Sequence, residues 1–273
     1  MIYLKSNKTN SDNGFIFNNN TNIHQNFRDN GNSYLYFRCS SSDTSPFIVP
    51  RFAPHVCLIN DNIIYHTHKL LTSCDSNKTF KISFADDFNG HDITTLERTF
   101  EGARHIELDF SNFDVSNVTS FNNMIINSMQ LSGIIKFHPN SKNTVTTTFY
   151  KAFNTMNNIT EIDLSCFYLD SSTLTSMEGC FTSCPRLEKL DMSNIDISDE
   201  KINVTSMFYR HSLKFLYIQD ASYERIKEQL KTAFTKVKYQ ERECYISDEY
   251  LATLDSTEYS VINNNSNTTI THY

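Results

Sequence analysis

Leu108-Asp-Phe-Ser-Asn-Phe-Asp-Val-Ser-Asn-Val-Thr-Ser-Phe121 contains both elements of a unit that recurs along the chain. This recurrence indicates the architecture. The first half alternates apolar and polar residues, which is typical of a strand with one buried face. The second half is a segment marked by threonine. A unit of two elements that recurs roughly every 20 to 50 residues predicts a solenoid.

The threonine-marked segment occurs five times, with starts 25, 28, 28 and 30 residues apart. The copies lie at residues 93–96, 118–121, 146–149, 174–177 and 204–207. A Thr or Ser oxygen can accept a hydrogen bond from a free amide at a helix start, and apolar residues three or four apart mark one helical face. We therefore expect a short helix or helical turn in each repeat.

Short alternating runs lie between these segments, at residues 81–84, 107–110, 135–137, 161–164, 189–192 and 215–218. One repeat cannot bury its own apolar side, so stacked repeats form the core, with parallel strands on one wall. The predicted fold class is α/β. Specifically, we expect a leucine-rich-repeat solenoid of about five repeats, with short parallel strands and short helices or helical turns, capped at both ends.

The best-formed repeat runs from Leu187 to Ile197 and follows the leucine-rich consensus L-x-x-L-x-L-x-x-N/C-x-L, except that Ile195 stands at the Asn or Cys position. Phe113 and Phe167 stand at the same position in their own repeats. A buried apolar spine is therefore expected where other leucine-rich repeats carry a ladder of amides.

These repeats resemble the BspA-like (DUF285) leucine-rich repeats, whose pattern reads roughly L-D-L-S-x-F-D-T-S-x-V-T-x-M-x-x-M-F. The resemblance spans about residues 79–219 and is specific in the copies at 106–125, 159–181 and 187–208. It implies a surface or secreted protein with a role in adhesion or host interaction. It brings no catalytic residues.

The flanks lack the period and predict a division into three parts. Residues 1–78 read as an Asn-rich leader followed by an N-terminal cap, and the repeats follow them over residues 79–219. Residues 220–273 begin with an amphipathic pattern in which Ile226, Leu230 and Phe234 are spaced four residues apart. The pattern predicts a capping helix followed by a mobile tail.

Composition excludes several classes of function. The net charge is −7, and residues 79–219 carry 17 acidic and 11 basic residues, which is the wrong sign for nucleic-acid binding. No apolar run approaches the roughly 20 residues of a membrane span, and no signal peptide is evident at the start. The expected location is the cytoplasm or a non-classical export route, whereas the family resemblance implies the cell surface or secretion.

Seven cysteines without regular spacing favour free thiols over a disulfide framework. Cys166, Cys180 and Cys184 with His211 could form a zinc site, but the spacing matches no common finger, so packed thiols are favoured. The acidic neighbours of Cys244 would raise its pKa and weaken it as a nucleophile. Catalysis is therefore not expected.

Three histidines, His55, His66 and His68, form the only histidine cluster. Two of them would share one face of a strand, but a pair is an incomplete ligand set, and exposed or capping histidines are favoured. Neither a metal ion nor another cofactor is expected.

Asp109, Asp163 and Asp191 recur at one strand position and are the candidate binding residues. The favoured interpretation is a solvated or turn-bonding position. The alternative is an acidic stripe along the strand wall, which would attract a basic partner.

The leading hypothesis is a non-enzymatic protein-binding module, whose partner could belong to a host cell, because the repeats come without a set of catalytic residues. A second hypothesis is an effector or toxin-related protein exported without a classical signal, with the Asn-rich leader as its address. A third is an enzymatic activity centred on Cys244. The sequence does not determine an oligomeric state.

Overall fold

The computed structural model describes residues 34–39, 56–59, 62–64, 79–85, 92–102, 106–210, 213–234, 243–245, 260–264 and 267–271. The strands described are β1 (Tyr34–Cys39), β2 (Val56–Ile59), β3 (Asn62–Ile64), β4 (Thr79–Ala85), β5 (Ile106–Asp109), β6 (Ser132–Lys136), β7 (Asn158–Asp163), β8 (Lys189–Asp191), β9 (Phe215–Tyr217), β10 (Glu243–Tyr245), β11 (Ser260–Asn264) and β12 (Asn267–Thr271). The helix described is α1 (Asp220–Phe234).

The strands form one sheet in the order β11-β12-β10-β9-β8-β7-β6-β5-β1-β4-β2-β3. Strands β5 to β10 run parallel in sequence order, one strand per coil of the chain. Their inward residues are apolar and at most 6% exposed: Leu108, Ile135, Ile162, Leu190 and Leu216. The predicted repeat solenoid is confirmed in this coarse sense, as a β-solenoid of parallel strands.

The first strand of the predicted series behaves differently from the others. Residues 81–84 lie in β4, which pairs antiparallel with both β1 and β2. β1 separates β4 from β5 and is antiparallel to both. The parallel wall therefore begins at β5, and its N-terminal edge is paired with β1 instead of being left open.

The wall opposite the strands consists of turns. It is formed by residues 95–102, 120–127, 148–155, 176–183 and 203–210, which we call the turn wall. Single β-bridges, such as Ser120 with Thr148 and Thr148 with Ser176, connect successive coils. The expected short helices do not occur in the described repeats. Each coil consists of a strand and turns instead of the strand and helix of the predicted α/β class. The hydroxyl of Thr148 accepts a hydrogen bond from the amide of Tyr150 at 3.1 Å, as in a turn, and caps no helix.

Every second amide of the turn wall donates to the next coil. In one coil, Phe121, Asn123, Ile125 and Asn127 donate to carbonyls of the following coil at 2.9 to 3.1 Å. The amides between them bond within their own coil: Asn122 donates to Ser120 Oγ at 3.4 Å, and Met124 and Ile126 donate to the carbonyl three residues earlier at 3.0 and 3.2 Å. Both sets of amides are thus satisfied without an α-helix.

This arrangement places two residues per coil in the left-handed region, four positions apart. The first set is Arg98, Asn123, Lys151, Gly179 and Ser206, and the second is Gly102, Asn127, Thr155, Ser183 and Arg210, with φ from 50° to 68°. Non-glycine residues adopt this conformation at a cost of about 1 to 2 kcal/mol each. The hydrogen bonds between coils must therefore hold them there.

The last coil is out of register with the sequence motif. Ser176 bridges to Asn203, which sets Met177 level with Val204, although the motif aligns Leu174 with Val204. The left-handed residues give coil lengths of 25, 28, 28 and 27, not the 30 of the final motif interval. The two left-handed residues of the turn wall stay four positions apart in every coil. The loop that precedes the turn wall of the last coil accounts for the difference between 27 and 30 residues.

Threonine forms an exposed column along the solenoid. The backbone amide and hydroxyl of Thr119 both donate to the carbonyl of Thr94, at 2.7 and 2.9 Å. Thr147 and Thr175 repeat this pair of bonds, each to the preceding threonine. The recurrent Thr thus stabilises the coil-to-coil register.

Phenylalanine fills the interior. Phe113, Phe167 and Ile195 are fully buried, which confirms the predicted apolar spine. The ring of Phe167 lies edge-on to Phe149, with centroids 5.0 Å apart. Such edge-to-face contacts add about 0.5 to 1.5 kcal/mol beyond burial.

Asn143 is a buried polar residue among these rings, with no exposed surface. Its Nδ2 donates to the carbonyls of Val115 and Val118 at 2.6 and 2.8 Å. Its Oδ1 accepts from the amides of Val145 and Thr146 at 3.0 and 2.9 Å. The side chain therefore joins two successive coils, although its position shows no periodicity in the sequence.

Helix α1 confirms the amphipathic pattern predicted for this segment, with Ile226 and Leu230 buried; the Phe234 side chain lies outside the described part. Arg225 donates to the carbonyls of Ile197 and Ile202 of the preceding coil. The helix thereby satisfies backbone acceptors next to the last coil.

Two further features concern the C-terminal residues. Strands β11 and β12, which fall within the segment predicted to be a mobile tail, pair antiparallel with each other, and β12 pairs with β10. Within the described ranges, no helix combines the length and hydropathy that a membrane crossing requires.

Asn143→Ala should destabilise the protein by about 2 to 4 kcal/mol, because the amides of Val145 and Thr146 would lose their acceptor. The carbonyls of Val115 and Val118 would each lose one of two donors. Urea denaturation followed by circular dichroism measures the change. Asn157→Ala is the matched control, since Asn157 is exposed, and it should change stability by less than about 0.5 kcal/mol. Equal effects of the two substitutions would contradict the assigned role.

Candidate functional site

The outward side of the parallel strands is a regular surface of the described repeats. We call it the strand face and define it by Glu107, Asp109, Ile134, Lys136, Glu161, Asp163, Lys189, Asp191, Phe215 and Tyr217. These residues are half-buried or exposed and alternate with the buried residues of the same strands. Their side chains therefore point away from the core.

One row of the strand face runs across four strands through Lys136, Asp163, Asp191 and Tyr217, which are paired in register. Lys136 Nζ lies 3.0 Å from Asp163 Oδ2. Asp163 and Asp191 are direct neighbours, so two carboxylates lie side by side at the strand spacing of about 4.8 Å. Like charges at paired positions are unfavourable.

The structure brings together only two of the three predicted aspartates. β5 and β6 pair at Glu107 and Ser132, and the register shifts between Gly133 and Ile134. Lys136 of β6 takes the position next to Asp163 that an unbroken acidic stripe would give to an aspartate. Asp109 belongs to the neighbouring strand pair and does not contact the other two carboxylates in register.

All three aspartates accept hydrogen bonds from the serine two residues later. Asp163 Oδ1 accepts from the Ser165 amide at 3.0 Å and from its hydroxyl at 2.6 Å, and Asp191 and Ser193 repeat both bonds. Asp109 accepts from the amide of Ser111 at 2.9 Å. The turn-bonding interpretation thus describes one oxygen of each carboxylate, and the second oxygen of Asp163 pairs with Lys136.

The two neighbouring carboxylates have opposite electrostatic surroundings. Burial alone would raise the pKa of Asp163, but hydrogen bonds from Ser165 and the Lys136 ammonium lower it below its ordinary value. Burial raises the pKa of Asp191, the charge of Asp163 adds to this effect, and the opposing influence of Ser193 and Lys189 is weaker. The charge of Asp191 is therefore the less well compensated of the two.

The second row contains the other cation and the apolar groups. Glu161 pairs with Lys189, whose Nζ lies 2.9 Å from Glu161 Oε1. Ile134, which is 50% exposed, lies beside Glu161 on one side, and Phe215 lies beside Lys189 on the other. Five carboxylates and two ammonium groups leave the whole strand face negatively charged, with apolar side chains among the charges.

Lys136, Tyr217, Ile134 and Phe215 are parts of this face that the sequence analysis did not single out. A signal existed for Lys136, because Ile135-Lys-Phe137 aligns with Leu108-Asp-Phe110 and replaces the acidic residue by a basic one. The sequence also contained a signal for Ile134, which precedes the inward residue Ile135 and therefore points outward by alternation. The register shift next to it pairs it with Glu161.

The other candidate sites are less suited to chemistry. Cys180 and Cys184 are fully buried, and burial raises the pKa of Cys184 to about 12 and that of Cys180 above its ordinary value. Burial, followed by the charge of Asp163, raises the pKa of Cys166 to about 12. Protonated thiols are poor nucleophiles and poor metal ligands.

Several predicted candidates cannot be placed. His55, His66, His68 and His211 lie outside the described residues, as does the side chain of Cys244 in β10. Among the residues that are described, no three His, Cys, Asp or Glu side chains are grouped so as to hold a metal ion.

Comparison with known proteins gives one match. Residues 68–168 match the model of a family described as "Mycoplasma protein of unknown function, DUF285". The match includes the coils from β4 to β7 and ends before β8, so Asp109 and Asp163 lie within it and Asp191 does not. No curated protein and no solved structure matches the chain.

Asp163→Asn and Asp191→Asn should change the free energy of unfolding in opposite directions at pH 7. The lowered folded pKa of Asp163 gives stability above the unfolded pKa that is lost as the pH falls, so Asp163→Asn should cost about 1 kcal/mol. The raised folded pKa of Asp191 means that ionisation destabilises the fold as the pH rises, so Asp191→Asn should add roughly 0.5 to 1 kcal/mol.

Urea denaturation at pH 7 and at pH 3 measures both differences, which should shrink at pH 3 as the wild-type carboxylates protonate. The amide oxygen of asparagine can still accept from the following serine, so the turns are retained. A shift of the same sign in both variants at pH 7 would contradict the assigned electrostatics.

Cys166, Cys180 and Cys184 should resist iodoacetamide in the native protein at pH 8, since burial raises the pKa of all three thiols and also makes Cys180 and Cys184 inaccessible. Mass spectrometry of digested protein identifies which cysteines react. Labelling in urea provides the positive control. Rapid native labelling of Cys180 would show that the interior is not packed as described.

Proposed function

We propose that this chain is a non-enzymatic protein-binding module and that the strand face is its binding surface. The observation that carries the proposal is the composition of this face, where paired charges surround the exposed Ile134 and the aromatic Phe215 and Tyr217. Mixed apolar, aromatic and charged surfaces on a rigid scaffold are typical of protein recognition.

The solenoid supports this function physically. Each parallel strand contributes outward residues to the same two rows, so the surface grows with the number of coils without a large cost in loop ordering. The hydrogen bonds between coils hold the rows rigid, and a rigid surface loses little conformational entropy on binding. The two rigid rows of outward side chains are the geometry that the proposed binding role requires.

The absence of catalysis belongs to the proposal as well. On the strand face, each of the three aspartates accepts from its own serine, and Asp163 and Glu161 also pair with lysines. These carboxylates are engaged as acceptors in turns and ion pairs, and the hydroxyls that contact Asp163 and Asp191 belong to the serines of those turns. The resemblance to BspA-like repeats extends the proposal to adhesion or host interaction at a cell surface.

Photocrosslinking tests which surface binds. With p-benzoylphenylalanine in place of Ile134, the protein should crosslink to a discrete partner in lysate of source cells or candidate host cells. The same residue in place of Val145, which is 40% exposed but outside the strand face, is the matched control. Crosslinking at Ile134 alone, abolished by excess unlabelled protein, is the expected result.

Equal crosslinking at the two positions, or crosslinking at Val145 alone, would contradict the strand face as the binding surface. Excess Asp191→Lys protein should compete about tenfold less well than wild type, because charge reversal at a close pair costs on the order of 1.4 kcal/mol or more.

A further inference from the structure

We propose that the strand face recognises an extended, basic protein segment whose arginine or lysine side chain docks between Asp163, Asp191 and Tyr217. This inference rests on the proposed function and specifies the chemistry of the partner. It commits to a protein segment with a cationic side chain next to an apolar one, and its support comes from charge, register and exposure.

The cations already present on the strand face are assigned to other acids. Lys136 pairs with Asp163 at 3.0 Å and Lys189 pairs with Glu161 at 2.9 Å. Among the described residues, Asp191 takes part in no ion pair, and its hydrogen bonds to Ser193 use only one carboxylate oxygen. The second oxygen is therefore available to a cation from outside.

The register supplies a second attraction for the same cation. Tyr217 is paired with Asp191 in the adjacent strand, so the ring and the carboxylate are neighbours. Lys189 Nζ lies 5.9 Å from the centroid of Tyr217, which shows that a cation can approach this ring within cation–π range. Arginine suits such a position best, because its planar group both stacks on a ring and binds a carboxylate.

An apolar contact lies within reach of the same segment. Ile134 is 50% exposed and lies two strands and two residues from Asp191, about 12 Å away at the usual strand spacing and rise per residue. Two residues of an extended chain span roughly 7 Å, and four span about 13 Å. A short segment can therefore cover Ile134 and reach Asp191.

In the isolated protein, the position of Asp191 beside Asp163 is electrostatically unfavourable. Two carboxylates placed side by side destabilise the fold, and Asp191→Asn would keep the turn to Ser193 while removing the repulsion. Residues that lower stability in this way are commonly retained for binding. An added cation removes the unfavourable interaction only when the partner is bound.

Other occupants are less suitable. The negative charge of the face opposes nucleic acid. A divalent metal ion would need a fuller ligand set, and the described residues contain no group of three candidate ligands. A basic protein segment is the occupant that the charge of the face favours.

Titration calorimetry with two synthetic peptides tests the inference. The probe is a 12-residue acetylated peptide in which serine alternates with arginine or isoleucine. In its matched control, citrulline, a neutral analogue of arginine, replaces each arginine. At about 50 mM salt the arginine peptide should bind at least roughly tenfold more tightly than the citrulline peptide, and about 0.5 M salt should abolish the difference.

Variants locate the site. Asp191→Asn should weaken binding of the arginine peptide about fivefold, and Tyr217→Leu about threefold, while thermal unfolding shows that both remain folded. Asp170→Asn is the control, because exposed Asp170 makes the same turn to Ser172 outside the strand face. It should leave the affinity unchanged.

Equal affinity for the two peptides would overturn the inference, as would equal losses in Asp191→Asn and Asp170→Asn. Crosslinking at Ile134 provides the separate test of the binding surface. If a partner crosslinks there but its affinity depends neither on salt nor on Asp191, the proposed function remains and the basic segment is wrong. If the peptides bind through Asp191 but no partner crosslinks at Ile134, the proposed function fails.

Discussion

The hydrogen bonds between successive coils of the turn wall are the constraint on which the rest of the structure depends. Every second amide donates to the next coil, and the amides between donate within their own coil. Two left-handed residues per coil are needed to orient both sets, and most of them are not glycine. The bonds therefore stabilise backbone conformations that the isolated segments would not favour, and they fix the length of each coil.

This constraint determines the surface opposite. Because the coils are stacked at fixed register, the outward strand residues form rows, and the identity of each row member depends on one local shift between Gly133 and Ile134. The shift pairs Ile134 with Glu161 and sets Lys136 beside Asp163. A solenoid without it would carry a different sequence of charges on the same face.

The aspartates of the strand face have a structural role besides the binding role that we propose. One oxygen of each aspartate accepts from a serine in the following turn, which explains why the residue recurs whether or not it contacts a partner. The other oxygen meets a different environment in each coil, with Lys136 beside Asp163 and a like charge beside Asp191. Function in repeat proteins of this kind depends on what differs between repeats, while the recurring part maintains the fold.

The sequence by itself determined the solenoid, the apolar spine at Phe113, Phe167 and Ile195, and the amphipathic helix α1, because these follow from periodic burial that leaves a pattern in the residues. The tertiary structure was needed to show that turns replace short helices and that β1 pairs with β5. It also showed that the last coil is displaced by three residues relative to the sequence motif. It further set the register in which Asp163 lies directly beside Asp191, whereas Lys136, which separates Asp109 from them, was visible in the sequence. The pairing of β1 with β5 joins residues 73 positions apart, such as Tyr36 and Asp109, and the register between coils joins segments about 25 to 28 residues apart. A local pattern of apolar and polar residues contains no information on which backbone groups of distant segments meet.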